Sequence, residues 1–373
     1  MMRSFLLGLL LTLSFVANCQ KYFLFIGTYT GSGSKGIYVY SFDAATGKAQ
    51  WISNTEGVVN PSYLAIAPGG SYLYACTETK TVNAGGVSAF SFDREKGNLT
   101  FINKQSSGGD NPAYVSVHKS GRWVIAGNYS GGSLAAFPVN ADGGIQPYSQ
   151  LVQHTGTSIN KQRQEAPHVH STVFSPKGDY LFVPDLGLDK VMIYKFDTSA
   201  QKPLQPASPA FSATDPGTGP RHFIFYPNKK WAYLIEEMGG TVVAYNYKNG
   251  KLKPIQKIAT HADTVKGEFG SADIHLSPDG KFLYASNRGN ENNITIFSVN
   301  RFSGKLSLKA FQSTMGVQPR NFTIDPSGKY LLAANQKTGN IVIFKRDSIT
   351  GLLQYTGEQI NIPEPVCLKM IKQ

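Results

Sequence analysis

The sequence predicts an all-β fold, a seven-bladed β-propeller with four antiparallel strands per blade. Three observations carry this: a composition rich in turn and strand formers, a strand–turn–strand pattern that recurs about every 50 residues, and two chain ends that each hold part of one blade. The 373 residues include 38 Gly, 19 Tyr and 22 Phe, with only 16% charged residues, a balance that favours strands and tight turns over helices. Hydrophobic residues reach 41%, enough for a packed interior, which excludes intrinsic disorder. Three cysteines in so long a chain exclude a disulfide scaffold or a cysteine-ligated zinc module.

The repeat justifies each blade in turn. Six segments share a strand start that usually carries Pro, an alternating apolar strand, a Pro-x-Gly turn or its relative, a second apolar strand and a polar ending. They are NPSYLAIAPGGSYLYACTE from Asn60, NPAYVSVHKSGRWVIAGNYS from Asn111, HVHSTVFSPKGDYLFVPDLG from His168, GPRHFIFYPNKKWAYLIEEMGG from Gly219, GSADIHLSPDGKFLYASNRGN from Gly270 and QPRNFTIDPSGKYLLAANQKTG from Gln318. With Pro61, Pro112, Val169, Pro220, Ser271, Pro319 and Pro365 as phase markers, the spacings are 51, 57, 51, 51, 48 and 46 residues. Four short strands and their turns fill such a period. PEPVCLKM at the C-terminus is one innermost strand without partners, and KYFLFIGTYT and GIYVYSFD near the N-terminus are a second and third strand lacking a first. Pairing the N-terminal strands with the C-terminal strand closes the ring and removes its free edges, so residues 20–373 form one domain and a monomer is expected.

Residues 1–19 precede the first strand. Met1-Met2-Arg3, an apolar run from Phe5 to Val16 and Ala17-Asn18-Cys19 have the layout of a signal peptide, too short to span a bilayer. An exported protein, periplasmic or extracellular and beginning at Gln20, is expected; lipidation at Cys19 is the alternative. Cys76 and Cys367 remain, and nothing in the sequence says whether they pair.

The formal charge is +12, which favours an anionic partner. No run of basic residues and no interleaved basic–aromatic stripe supports nucleic acid, so a small anionic ligand is the better match. G-x-S-x-G, G-x-x-x-x-G-K-[ST] and H-E-x-x-H are absent from the sequence, which leaves serine-hydrolase, nucleotide and zinc-protease chemistry without support. His168-x-His170 supplies two ligands, not a zinc site.

In an antiparallel meander the start of the innermost strand and the end of the second lie at one rim, so residues scattered over some 300 positions should surround one mouth of the channel. The strand starts supply Tyr63, Tyr114, His170, Arg221, His222, Asp273, Arg320 and Asn321. The second-strand endings supply Tyr29, Glu78, Asn128, Tyr129, Asp185, Glu236, Glu237, Asn287, Arg288 and Asn335. Recurrent ionisable residues at such positions suggest a ligand site. Asp185, Asn128, Asn287 and Asn335 are candidate substrate ligands whose side chains equally suit turn capping. A calcium site from Glu237, Asp185 and the rim asparagines is conceivable on oxygen chemistry alone.

At HVHSTVFSP, GPRHFIFYPN, YLIEEMGG, LYASNRGN and QPRNFTIDPSGKY the sequence resembles the seven-bladed propeller lactonases, a family that includes a bacterial type of 6-phosphogluconolactonase and the fungal carboxy-muconate cyclases. The resemblance runs from about Lys21 to the C-terminus. It implies a hydrolase of sugar-acid lactones with no required metal or cofactor, and a catalytic set of His170, Arg221, Glu237 and Arg288. Arg320, at the matching strand start in QPRN, is a further anion ligand. Either Glu237 or His170 would activate water and the other protonate the leaving oxygen. Glu236 should point away, because strand neighbours face opposite sides. Export sets this chain apart from the sugar-phosphate setting of the phosphogluconolactonases. A lactonising cyclase of the muconate type and a non-catalytic binding propeller are the rival readings.

Overall fold

The computed structural model describes residues 20–79 and 81–373; the expected leader over residues 1–19, Cys19 included, lies outside the described residues. Every regular element among the described residues is a β-strand, and the strands form seven four-stranded antiparallel sheets.

Blade 1 is the closing blade. Its order is Pro365–Lys372, Lys21–Thr28, Ile37–Asp43, Lys48–Thr55 from the channel outward, with Tyr22 opposite Lys372 and Ile26 opposite Leu368. The split expected from the two chain ends is therefore what closes the ring. Blades 2 to 7 follow in sequence order, each a meander running outward. Their innermost strands are Leu64–Ile66, Pro112–Val117, Val173–Phe174, Pro220–Phe225, Ser271–Leu276 and Pro319–Ile324.

Alternation decides where the core lies. In a strand buried on both faces, odd and even residues meet different neighbours, so apolar side chains gather between blades rather than at one centre. One cluster joins blades 3 and 4 through Ile125, Leu134, Leu181 and Val183; the next joins blades 4 and 5 through Phe182, Val191, Leu234 and Val243. Further clusters continue round the ring, ending with Leu24, Leu332 and Ile343 between blades 7 and 1. Buried tyrosines add a directional tie. Tyr74, Tyr233 and Tyr284 donate their hydroxyl hydrogens to the carbonyls of Gly143, Gly304 and Gly351, in the outer turns of the following blades, at 3.0, 2.8 and 2.8 Å.

The turns after the innermost strands need a residue in the left-handed region. Gly178, Gly280 and Gly328 supply it, whereas in blade 5 Lys229 takes the same place at φ 62°.

The two buried cysteines, Cys76 and Cys367, are unpaired. Cys367 lies in the closing strand, where its Sγ accepts from the amide of Leu64, and the Cys76 thiol donates to the carbonyl of Tyr63.

Candidate active site

Two structurally equivalent rings of residues form the mouth, and a register irregularity creates the first. In blade 5 Pro220 pairs with Glu236 and His222 with Ile235, leaving Arg221 as an extra residue. Blade 7 repeats this at Arg320, blade 3 at Ala113 and blade 1 at Val366. A bulge leaves its extra residue outside the ladder and re-aims the side chain. Ser62, Ala113, His170, Arg221, Ala272, Arg320 and Val366 each follow the phase-marking residue of their blade. Three of the seven are ionisable, and four are small or apolar. Most of this ring lines a cavity of about 10 Å³ at the channel axis, together with Tyr63, His222 and Asn321.

The second ring is set by one backbone hydrogen bond repeated in every blade. The residue just past each second strand donates its amide to a carbonyl two residues before the ring position: Glu78 to Asn60, Tyr129 to Asn111, Leu186 to His168, Glu237 to Gly219, Arg288 to Gly270 and Gln336 to Gln318, with Tyr29 to Glu364 in the closing blade. Of these, Tyr29 and Glu78 reach Arg320, Tyr129 reaches His170, and Glu237 reaches Arg221 and Arg288, whereas Leu186 is fully buried. The residues one position earlier turn into the blade.

That one-residue difference removes four candidates from the mouth. Asn128, Asn287 and Asn335 are at most 1% exposed. Their amides donate to the carbonyls of Ser107, Thr260 and Thr314, which follow the outermost strand of the preceding blade. Asp185 is fully buried, accepts from the amides of His168 and Gly187, and pairs with His154 Nδ1 at 2.6 Å. These four are struts: the structure does not bring them to the mouth as substrate ligands, because each is buried and tied through its side-chain amide or carboxylate to backbone or buried partners, although the buried Oδ1 atoms of Asn128 and Asn335 accept no hydrogen bond. Glu236 behaves as alternation requires, accepting from Thr218 at 2.9 Å and pairing with Lys257 at 3.0 Å away from the mouth.

His170, Arg221, Glu237, Arg288 and Arg320 do come together. Glu237 Oε2 accepts from Arg221 Nε at 2.9 Å and pairs with Arg288 Nη2 at 3.0 Å, while its Oε1 accepts from Arg163 Nη2 at 2.7 Å. His170 Nε2 stands 3.9 Å from Glu237 Oε2, and its buried Nδ1 has no hydrogen-bond partner. Arg320 lies over the Tyr29 ring at 5.6 Å, with Nη2 3.8 Å from Glu78 Oε1.

Charge sets the protonation states. Burial alone would raise the Glu237 carboxyl, but Arg288, Arg221 and the other surrounding cations hold it well below the usual carboxylate range. Burial and then the Arg221 charge push the His170 imidazole well below its ordinary value, so it is neutral. Arg221, buried and facing Arg288, is lowered to about 9. Four guanidiniums, from Arg163, Arg221, Arg288 and Arg320, face two carboxylates, Glu78 and Glu237. The shared carboxylates cannot compensate them all, and the mouth is left anion-seeking. The same geometry argues against calcium there, since a cation beside Glu237 would displace or oppose three arginines. Among the described residues no group of three or more His, Cys, Asp or Glu side chains is placed to hold a metal ion.

Beneath the rings the channel is braced. Arg221 Nη1 donates to the Ala272 carbonyl and approaches His222 Nε2 at 3.3 Å; His222 Nδ1 donates to Asp273 at 2.7 Å, and Asp273 meets His275 Nε2 at 2.9 Å. This chain fixes the plane of the Arg221 guanidinium. A roomier cleft of about 710 Å³, lined by Lys229, Trp231, Tyr247 and Arg301 among others, opens at the strand turns of the opposite rim and includes none of the ring residues.

Arg163 is the site residue that sequence reasoning missed. It lies in neither a strand start nor a strand ending, but in the connection between the Gln150–Gln153 strand and blade 4. The signal was the 57-residue spacing, the longest in the ring.

Three comparisons bear on this architecture. A family profile described as "Lactonase, 7-bladed beta-propeller" matches residues 23–370. A 6-phosphogluconolactonase of Formosa agariphila is 41% identical over 93% of this chain and 99% of that protein, and one of Bacillus subtilis 36% identical over 95% and 99%. The structure of a Pseudomonas aeruginosa periplasmic gluconolactonase superposes with a TM-score of 0.89 at 37% identity, covering 94% of this chain and 99% of that one.

Proposed function

The chain belongs to the seven-bladed β-propeller lactonase family, and from that premise we propose that it opens a sugar-acid lactone at the ring of His170, Arg221, Glu237, Arg288 and Arg320. It is a lactone-hydrolysing enzyme of the 6-phosphogluconolactonase kind. The observation that carries the assignment of roles is the contrast between its two titratable groups. Glu237 is clamped as a carboxylate by three arginines, whereas His170 is neutral with an unspent ring nitrogen.

This contrast selects His170 as the base. Both oxygens of the Glu237 carboxylate are engaged by Arg288, Arg221 and Arg163, while the neutral imidazole keeps Nδ1 unpartnered and can take a proton from water and return it in turn. His170 takes a proton from water as the oxygen adds to the lactone carbonyl. Arg221, with Arg288 or Arg320, stabilises the oxyanion through preorganised charged donors. Collapse of the tetrahedral intermediate breaks the ring carbon–oxygen bond, and the imidazolium returns its proton to the departing alkoxide. Glu237 holds the guanidiniums in place and keeps their mutual repulsion tolerable.

Acid release in a pH-stat, measured on phosphorylated and plain sugar lactones with spontaneous opening subtracted, tests the reading. Arg221→Ala is expected to lose about 10²- to 10³-fold in kcat, the usual cost of an oxyanion donor. Full turnover in this variant would overturn the assignment. Binding without turnover by the wild-type protein would favour the non-catalytic propeller, and a product without solvent oxygen would favour the cyclase.

Export is part of the same proposal. The leader-like residues 1–19 and the periplasmic description of a 37% identical neighbour support it, and no helix among the described residues is long and apolar enough to cross a membrane. A secreted chain whose intact mass begins at Gln20 is the expected result; a mass retaining Met1 would refute it. The two chain ends complete the closing blade, which leaves no partial blade for a second copy to fill, and this supports a monomer.

A further inference from the structure

We infer that Arg163 and the cleft beside it form a subsite for a second anionic group on the lactone, remote from its reacting carbonyl, so that this enzyme selects lactones carrying a phosphate or a second carboxylate. The inference rests on the lactonase reading above and names the substrate class within it.

The three arginines on Glu237 are not equivalent. The side chains of Arg221 and Arg288 are 1% and 10% exposed, whereas that of Arg163 is 45% exposed. Arg221 is also tied to the Ala272 carbonyl and Arg288 to that of Gly270. Arg163 has only Glu237 Oε1 and, at 3.4 Å, the Tyr129 hydroxyl. Of the three guanidiniums on Glu237 it is the most exposed, and its planar fork suits a bidentate oxyanion.

The loop that presents it is held firmly. His154, at its start, is pinned between Asp185 at 2.6 Å and Tyr194 at 2.9 Å. Gln164, fully buried, donates to the carbonyl of Leu186 at 2.9 Å, and the Asn160 side chain accepts from the Arg163 amide at 3.1 Å. The buried glutamine next to an exposed arginine makes the loop a fixed arm with a functional tip. A presentation this rigid loses little entropy when a ligand is engaged.

There is also space. A cleft of about 290 Å³ opens beside Arg163, bounded by Asn160, Gln162, Met238, Glu268 and Phe269. Met238 directly follows Glu237, and Phe269 precedes Gly270, whose carbonyl accepts from Arg288, so the cleft is lined by residues that adjoin Glu237 and the Arg288 anchor. A lactone whose carbonyl sits at Arg221 and His170 can extend its tail past Glu237 toward Arg163. Glu268 is the one carboxylate in the lining, and it repels an anion placed at its end, which leaves the Arg163 end as the anion position.

The test compares wild type with Arg163→Gln and Arg163→Lys on three lactones: 6-phosphogluconolactone, glucarolactone with its free carboxylate, and uncharged gluconolactone. The wild type is expected to favour one or both anionic lactones in kcat/KM. Arg163→Gln is expected to lower that preference by about 10- to 100-fold, as loss of a charge-assisted contact does, and Arg163→Lys to fall between. The two anionic arms tell phosphate from carboxylate. An equal loss on all three lactones means that Arg163 only supports Glu237, and overturns the inference, as does a wild type with no anionic preference. Calorimetric binding of 6-phosphogluconate against gluconate reads the same contrast without turnover. A wild type that hydrolyses no lactone would refute the functional reading alone, whereas a product preference unchanged by Arg163→Gln would refute the subsite.

Discussion

His170→Ala is expected to lower kcat about 10²- to 10⁴-fold, the range for losing a general base, with a smaller change in KM. The reason is geometric as well as electrostatic: His170 borders the axial cavity, its Nδ1 is unpartnered, and the ring keeps to the neutral form. The pH profile gives an independent check. A base acts only when deprotonated, so kcat/KM should fall as pH drops through the imidazole value. Because burial and the Arg221 charge push that value well below the ordinary 6.5, the wild type should hold a plateau through neutrality and lose activity only in distinctly acid solution. A limb centred at or above 6.5 would show that His170 is not the base, or that it is not held neutral by its neighbours.

Glu237→Gln is expected to cost about 3–5 kcal/mol of folding stability at pH 7, the typical penalty for removing one partner of a buried ion pair. The carboxylate serves three guanidiniums at 2.7 to 3.0 Å, and without its charge Arg221 and Arg288 repel one another in a poorly solvated site. Linkage fixes the pH dependence. The folded carboxyl is held well below its unfolded value, so its contribution is fully present above the unfolded value of about 4.3. It is lost as pH falls through the lower folded value. Denaturant midpoints of wild type and variant should therefore differ most near neutrality and converge in acid. A constant difference across this range would mean that the loss comes from packing rather than charge.

These two residues also show how far the sequence could be read. Phase markers at Pro220 and Pro319 placed Arg221 and Arg320 at strand starts, and the polar endings placed Glu237 and Arg288 at the same rim, because strand alternation and meander direction are local properties of the chain. The ring closure was legible for the same reason: an unpartnered C-terminal strand and an N-terminal pair are complementary fragments of one repeat.

Alternation alone did not separate Glu237 from Asn128, Asn287, Asn335 and Asp185. All five occupy polar endings, yet Glu237 lies one residue past its second strand and the other four are the last residues of theirs. The repeated amide bond to the strand start decides this, and it depends on pairing between strands. The bulges that free Arg221 and Arg320 are likewise properties of register. Arg163 was beyond local reading altogether, since its partner Glu237 is 74 residues away and comes within reach only when blades 4 and 5 stand side by side.

The sequence by itself determined the fold, the number of blades and which polar residues share one rim, because periodicity and turn residues act within a few positions of chain. Only the tertiary structure decided which polar residues became struts and which converged at the mouth, and that His170 kept a ring nitrogen unpartnered. Burial, register and the convergence of four guanidiniums arise when the ring closes, and a linear pattern does not contain them.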